Sequence, residues 1–169
     1  MSVRADPWVR PADQQRGGQT MLQPSFTPRD AFWVLGIQER ANPMQVDYSA
    51  FWARFEQRLA EVQPLATGPD GYGVYFPTAE EDIVDVFGGM AVTPGTTPPE
   101  GLVLREVPAG HYARFECTMQ DIGATWGAIF GEWAPTSGHE IDHASPCFER
   151  FAPGCHEGTE PVRIHVAVR

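Results

Sequence analysis

A proline- and glycine-rich segment, TPGTTPPEG at residues 93–101, separates two stretches that repeat the same order of predicted elements. The patterns predict a strand, a helix and two strands over residues 29–92, and strands, a helix and two more strands over residues 102–168. This duplicated β-α-β-β repeat predicts an α+β fold in which an antiparallel sheet carries two main helices. Two such halves must meet along a seam, where we expect a ligand cleft.

Alternating apolar residues in the first half predict three strands, over residues 30–38, 72–76 and 83–92. The helix between the first two runs from Asp47, a suitable N-terminal cap, to about Val62. Its apolar residues recur at helical spacing and are Phe51, Phe55, Leu59 and Val62. The Gly88-Gly89 pair in the third strand predicts a β-bulge.

The second predicted helix, residues 121–134, has an aromatic face. The residues of that face are Ile122, Trp126, Ile129, Phe130 and Trp133. Asp121 is suited to cap the start of the helix and Pro135 to end it. Such a stripe is typical of core packing. The functional interpretation is that part of it borders a small-molecule pocket, because such pockets are mostly apolar and aromatic.

One carboxylate, Glu149, lies among apolar and aromatic neighbours in the predicted strand over residues 146–152. Strand alternation places it on one face with Cys147 and Phe151, and Phe148 on the other. If Glu149 faces the interior, its burial is costly unless the carboxylate is paired or reached by water. A ligand cation among aromatic rings is one solution. The alternation leaves open that Glu149 instead faces solvent or pairs with an arginine.

The remaining strands of the second half are predicted over residues 102–107, 111–117 and 161–168. In the middle one, Glu116 faces away from Phe115. In the last one, the valines and Ile164 face inward, and we expect His165 on the opposite, exposed face.

Six segments together resemble the GyrI-like small-molecule-binding family, which includes effector-binding domains of AraC- and MerR-type multidrug-responsive transcription regulators. They are VPAGHYARFE at 107–116, WGAIFGEWAPTSGHE at 126–140, FERF at 148–151, FWVLGI at 32–37, FWARF at 51–55 and YGVYF at 72–76. The resemblance covers about residues 29–168 and implies an effector-binding domain, which we place at residues 25–169. Because no helix-turn-helix segment is recognisable, we expect its standalone form. The resemblance also implies that Glu149 meets a cationic ligand. Family members often carry Tyr where this chain has Phe151, which removes a hydroxyl from the predicted site.

The predicted site therefore combines Glu149 with aromatic residues from both halves, namely Trp126, Phe130, Trp133, Tyr75, Phe115, Trp33 and Phe151. We expect it to bind a small, cationic, lipophilic or aromatic molecule, as a sensor or for sequestration, without a cofactor. A resemblance to hydrolases that open strained electrophilic rings on natural products gives an alternative. In that alternative Glu149 is the general base, and Tyr75 or Glu116 is a second candidate polar group. Another alternative is a gyrase-inhibitor-like protein-interaction module.

The net charge of −10 and the isoelectric point near 4.8 restrict the partners of the chain. An acidic surface repels phosphate backbones and anionic membranes, which argues against direct binding of either, and it favours cationic ligands. The sequence has neither a membrane-spanning apolar run nor a signal-peptide core, so we expect a cytoplasmic protein. A homodimer or a regulatory protein partner remains open.

Cysteine and histidine residues give little support for metal chemistry. Cys117, Cys147 and Cys155 are irregularly spaced, and we expect free thiols in a reducing compartment. The order of His139, His143, Cys147, Cys155 and His156 matches no zinc pattern, so no metal site is predicted. Residues 1–24 lack periodicity and are rich in Pro, Gln, Arg and Gly, which predicts a disordered or loosely packed extension.

Overall fold

The computed structural model describes residues 22–169, in which one antiparallel sheet of eight strands carries two helices. The strands are β1 (Ser25–Arg29), β2 (Phe32–Ala41), β3 (Ala66–Pro77), β4 (Val84–Val92), β5 (Val103–Val107), β6 (Gly110–Cys117), β7 (Cys147–Phe151) and β8 (Val162–Val168). The predicted α+β class is confirmed. The prediction for residues 1–24 falls, up to residue 21, outside the described residues.

The order of the strands in the sheet shows the duplication. It runs β1-β6-β8-β7-β3-β4-β2-β5, so β3, β4 and β2 on one side of the β3–β7 pair match β7, β8 and β6 on the other. Each half takes its outer strand from the other half of the sequence, because β5 pairs with β2 and β1 pairs with β6. The strand β1 is not among the predicted strands. Its only large apolar residue is Phe26, and it contains Pro28, which an edge strand tolerates.

The sheet is strongly curled. In a flat sheet β1 and β2 would lie six strand spacings apart, roughly 29 Å. Only two residues connect them, and such a connection spans at most about 11 Å. The rings of Phe32 in β2 and Phe148 in β7, three strands away, have centroids 5.4 Å apart. The face that carries these rings is therefore concave, and both helices pack on the convex face.

The curl explains why the prediction for His165 is wrong. His165 is only 2% exposed, because its ring stacks on Phe148 at 4.3 Å on the concave face. Tyr112 packs edge-on against Phe148, with ring centroids 5.3 Å apart. Both faces of the central strands are therefore buried, one under the helices and the other inside the curl.

The first helix, α1 (Tyr48–Val62), begins where the sequence predicts. The Asp47 carboxylate accepts a hydrogen bond from the backbone N–H of Ala50 at 3.1 Å and so caps the helix. The predicted apolar stripe faces the sheet, with Phe51, Phe55 and Val62 buried.

The second helix starts differently from its prediction. It comprises α2 (Ile122–Ala128), a π-helical turn (Ile129–Trp133) and a last turn (Ala134–Thr136). Asp121 does not cap it, because the Asp121 carboxylate accepts from the Thr118 hydroxyl at 2.9 Å. A 3-10 turn, Met119–Asp121, leads into the helix instead.

Pro135 does not end this helix. It follows the π-helical turn, in which the N–H of Ala134 reaches back five residues to the carbonyl of Ile129. The wider turn accommodates the proline, which has no N–H to donate to the helix. Helical hydrogen bonding resumes after it, where the N–H of Ser137 donates to the carbonyl of Trp133 at 2.8 Å. Neither helix in residues 22–169 combines the length and apolar character that a membrane-spanning segment requires.

The predicted bulge at Gly88-Gly89 is also wrong. Both residues pair in unbroken register with β2 and β3, and the irregular pairing lies in β3 between Ala66 and Gly71. Gly88 serves helix packing instead, since a Cβ atom there would lie 2.7 Å from Cε1 of Phe51 and 3.0 Å from Cζ3 of Trp52. Its missing side chain lets α1 approach the sheet.

Replacing Gly88 with alanine should therefore destabilise the fold by about 1–3 kcal/mol, the usual cost of overpacking a core. Urea denaturation followed by circular dichroism measures the change in the free energy of unfolding. Gly68→Ala is the matched control, because nothing lies within 4 Å of a Cβ at Gly68. Equal stability of the two variants would contradict this account of helix packing.

Candidate functional site

Glu149 lies on the helix-covered face of the sheet, at the seam between the two halves. It pairs with Gly73 of β3 on one side and Ile164 of β8 on the other. Glu149 is only 4% exposed, so of the orientations that strand alternation left open, the structure has the inward one.

Two neutral donors hold the carboxylate. Oε1 of Glu149 accepts from the Tyr75 hydroxyl at 2.9 Å and from Nε1 of Trp126 at 2.7 Å. Burial raises the pKa of Glu149 to about 7, and the hydrogen bonds from Trp126 and Tyr75 only partly oppose that rise. Burial, followed by the neighbouring Glu149 charge, raises the pKa of Tyr75 far above its ordinary value, so this hydroxyl remains a donor at neutral pH.

A cavity of about 980 Å³ opens above Glu149, between α1 and the start of the second helix. The residues lining it are Pro43, Met44, Tyr48, Ser49, Trp52, Ala53, Phe55, Glu56, Leu59, Pro69, Gly71, Tyr75, Met119, Ile122, Gly123, Trp126, Glu149, Phe151, Ala152, Pro153, Gly154, Cys155, His156 and Glu157. Its volume is at the upper end of the range of small-molecule sites. No arginine or lysine is among these described lining residues, so its fixed charge is negative.

Trp52 and Glu149 converge above Gly73. A Cβ atom at Gly73 would lie 2.9 Å from Oε2 of Glu149 and 3.4 Å from Cζ2 of Trp52. The Trp52 ring also packs edge-on against Phe151, with centroids 5.6 Å apart. The glycine therefore provides the room in which an indole ring and a carboxylate oxygen meet at one wall of the cavity.

The structure brings four of the predicted site residues to this cavity, namely Glu149, Trp126, Tyr75 and Phe151. The other four do not line it. Phe130 stacks behind Trp126 at 6.0 Å, and Phe115 packs against Trp133 at 5.0 Å. Trp33 packs into the cluster under α1.

Two aromatic residues of α1, Tyr48 and Trp52, also line the cavity but are not among the predicted site residues. The Tyr48 hydroxyl donates to the backbone carbonyl of Pro43 at 2.5 Å, which joins the loop before the helix to its first turn. Leu59, which belongs to the predicted core stripe, lines the cavity together with Tyr48 and Trp52. The four-residue spacing of Tyr48 and Trp52, beside the core stripe, was the available signal.

Glu116 and the three cysteines are the other candidate groups. Glu116 is exposed and lies near Arg163, at 3.6 Å. None of Cys117, Cys147 and Cys155 forms a disulfide, and burial raises the pKa of the Cys117 thiol to about 11, which makes it a poor nucleophile at neutral pH. Within residues 22–169, no three His, Cys, Asp or Glu side chains form a group suited to a metal ion.

The Cass2 family model, described as integron-associated effector binding protein, matches residues 26–168. The chain belongs to this effector-binding family. The predicted resemblance to GyrI-like effector-binding domains is thereby confirmed, and so is the general expectation of small-molecule binding.

Solved structures share the fold of this effector-binding domain at low sequence identity. SAV2435 bound to tetraphenylphosphonium matches with a TM-score of 0.75 at 14% identity, over 88% of this chain and 94% of that chain. An integron cassette protein of Vibrio cholerae matches with a TM-score of 0.61 at 22% identity, over 88% of this chain and 97% of that chain. The EcmrR C-terminal domain matches with a TM-score of 0.64 at 13% identity, over 89% of this chain and 99% of that chain. A comparison with curated protein sequences found no match.

The raised pKa of Glu149 predicts a pH-dependent stability of the effector-binding domain. Between its ordinary pKa of 4.5 and its folded pKa of about 7, the folded state holds a proton that the unfolded state has lost. Stability from the protonated carboxyl is thus complete below pH 4.5 and is lost as pH rises through 7. Relative to Glu149→Gln, the wild type should lose up to roughly 3 kcal/mol between pH 5 and pH 8.

Urea denaturation of both proteins across this pH range measures the difference. Glu157→Gln is the control, because Glu157 lines the same cavity but is exposed. If the wild type and Glu149→Gln had parallel stability profiles, the carboxyl would not titrate in this range.

Proposed function

We propose that the cavity binds a lipophilic aromatic cation, with Glu149 as its counter-charge. The observation that supports this most directly is a 4% exposed carboxylate in a cavity whose described lining contains no arginine or lysine. Two neutral hydrogen-bond donors reduce the cost of burying its charge without cancelling that charge. A bound cation would complete the compensation, while the surrounding apolar lining would receive the body of the ligand.

The arrangement of rings supports an aromatic cation over a small hydrated one. Trp52, Trp126, Tyr75 and Phe151 present ring surface to the cavity, and indole and phenol rings attract cations through their negative faces. A metal-like cation would instead require several oxygen ligands. The bound tetraphenylphosphonium in the structurally similar SAV2435 is a cation of this kind and makes a suitable probe.

The biological role we propose is that of an effector-binding domain that senses or sequesters such compounds. The match to the effector-binding family supports this role. AraC-type regulation, a response to several drugs and a cytoplasmic location remain parts of this proposal.

Glu149→Gln should weaken tetraphenylphosphonium binding by about 1–3 kcal/mol, roughly ten- to hundredfold in dissociation constant, because the charge-assisted contact is lost. Quenching of tryptophan fluorescence at pH 8 gives the constants. Glutamine keeps an oxygen that can accept from Tyr75 and Trp126, so the cavity should keep its shape.

Two controls isolate the charge effect. Glu157→Gln removes an exposed carboxylate from the cavity rim and should change the constant much less. Triphenylphosphine oxide, an uncharged analogue, should bind the wild type and Glu149→Gln equally. If Glu149→Gln kept the wild-type affinity for the cation, the proposed counter-charge role would be rejected.

Hydrolysis is a second candidate, which the pKa of Glu149 favours. A carboxylate with a pKa of about 7 is half ionised near neutrality and suits a general base that activates water. The Tyr75 hydroxyl, 2.9 Å from Oε1, is the adjacent proton donor that ring opening would require. Wild-type protein should then convert styrene oxide to its diol, measured by chromatography, and Glu149→Gln should not. Equal rates with both proteins would eliminate this candidate.

A further inference from the structure

The concave face of the sheet carries a second group of polar side chains, on the side opposite the cavity. Arg114 of β6 and His165 of β8 are direct partners in the strand register, so their side chains lie next to each other. Nε of Arg114 and Nδ1 of His165 are both buried and lack a hydrogen-bond partner within the described chain. Buried nitrogen atoms are normally paired, and the Nε–H of Arg114 can only donate, so it lacks an acceptor.

Arg29 adds positive charge to the same place. Its guanidinium lies 5.3 Å from the centre of the Phe148 ring, on which His165 stacks at 4.3 Å. Within residues 22–169, Arg29 and Arg114 have no ion-pair partner, although the chain as a whole is acidic. Burial and then the charges of Arg29 and Arg114 lower the pKa of His165 to about 3. The His165 ring is therefore neutral at pH 7 and carries a single N–H.

The first half of the fold shows how the protein otherwise satisfies two arginines on this face. There Arg40 and Arg105 share the carboxylate of Asp85, at 2.8 and 3.0 Å. Asp85 is only 5% exposed, so the acceptor between those guanidinium groups is built into the chain. No carboxylate of the described chain takes the corresponding place between Arg29 and Arg114.

We propose that Arg114, Arg29 and His165 form a second binding site, which takes the oxyanion group of a ligand, a carboxylate or a phosphate. Nε–H of Arg114 donates to the oxyanion, and the Arg29 guanidinium compensates its charge. His165 donates as well when its single ring proton is on Nδ1. Guanidinium groups match the planar and tetrahedral geometry of such oxyanions and bind them by charge-assisted hydrogen bonds. This site does not depend on the cation cavity, which lies across the sheet.

Titration of the full chain with sodium phosphate, and separately with sodium acetate, tests the proposal. Sodium chloride keeps the ionic strength constant at pH 7, and nuclear magnetic resonance follows the ring signals of His165. We expect a saturable shift with at least one of the two anions. Saturation by phosphate alone assigns a phosphate-bearing ligand, and saturation by acetate assigns a carboxylate.

Arg114→Gln should raise the dissociation constant of the anion by at least about tenfold, since it removes a charged donor. Arg54→Gln is the matched control and should leave the constant unchanged, because Arg54 lies on α1 and is paired with Glu39. Arg29→Gln provides an independent variant if Arg114→Gln does not fold. Tetraphenylphosphonium affinity should stay within about twofold in all three variants.

Two results would overturn the proposal. One is a His165 shift that follows anion concentration without saturating, which indicates general screening only. The other is an unchanged dissociation constant in the folded Arg114→Gln or Arg29→Gln protein.

Discussion

The buried carboxylate of Glu149 is the interaction on which the arrangement of the two halves depends. It belongs to β7, while its two donors come from β3 and from the second helix. Both donors meet at the same oxygen, Oε1, so the three elements must keep one relative position to satisfy it. Because those donors are neutral, they fix the position of the three elements without neutralising the carboxylate, whose charge only a proton or a cationic ligand can neutralise. A structural tie and a binding site thus arise from the same group.

The curl of the sheet determines which sequence expectations could succeed. Strand alternation assigns residues to faces correctly, and Glu149 shares its face with Phe151 as predicted. Alternation cannot tell how each face is covered. The strand β8 was assumed to have one exposed face, yet His165 is buried because the concave side closes on itself. The two-residue link between β1 and β2 carries the signal for that closure, but it is readable only once the strand order is known.

Helical periodicity predicted both helices and their core stripes, because the pattern depends only on local spacing. The ends of the second helix depended on contacts that the pattern lacks. A π-helical turn lets that helix continue through Pro135. The Asp121 carboxylate accepts a hydrogen bond from the Thr118 hydroxyl and does not cap the helix. The cavity wall on α1 was missed for a similar reason. Tyr48 and Trp52 flank the core stripe, and only the position of the opposing helix shows that the flank faces a cavity.

Two glycines of the first half leave room for Glu149 and for the aromatic residues of α1, and this gives the two halves different roles. Gly73 faces Glu149 across the seam, and a Cβ atom there would lie too close to the carboxylate, at 2.9 Å, and would touch Trp52 at 3.4 Å. Gly88, beside it in β4, lets Phe51 and Trp52 approach the sheet. The first half therefore provides the space beside the seam and the rings of Tyr75 and Trp52, while the second half provides Glu149 with the rings of Trp126 and Phe151. A duplication with glutamate on both sides of the seam would place like charges together at a distance where they repel, so the asymmetry allows one of them to be buried.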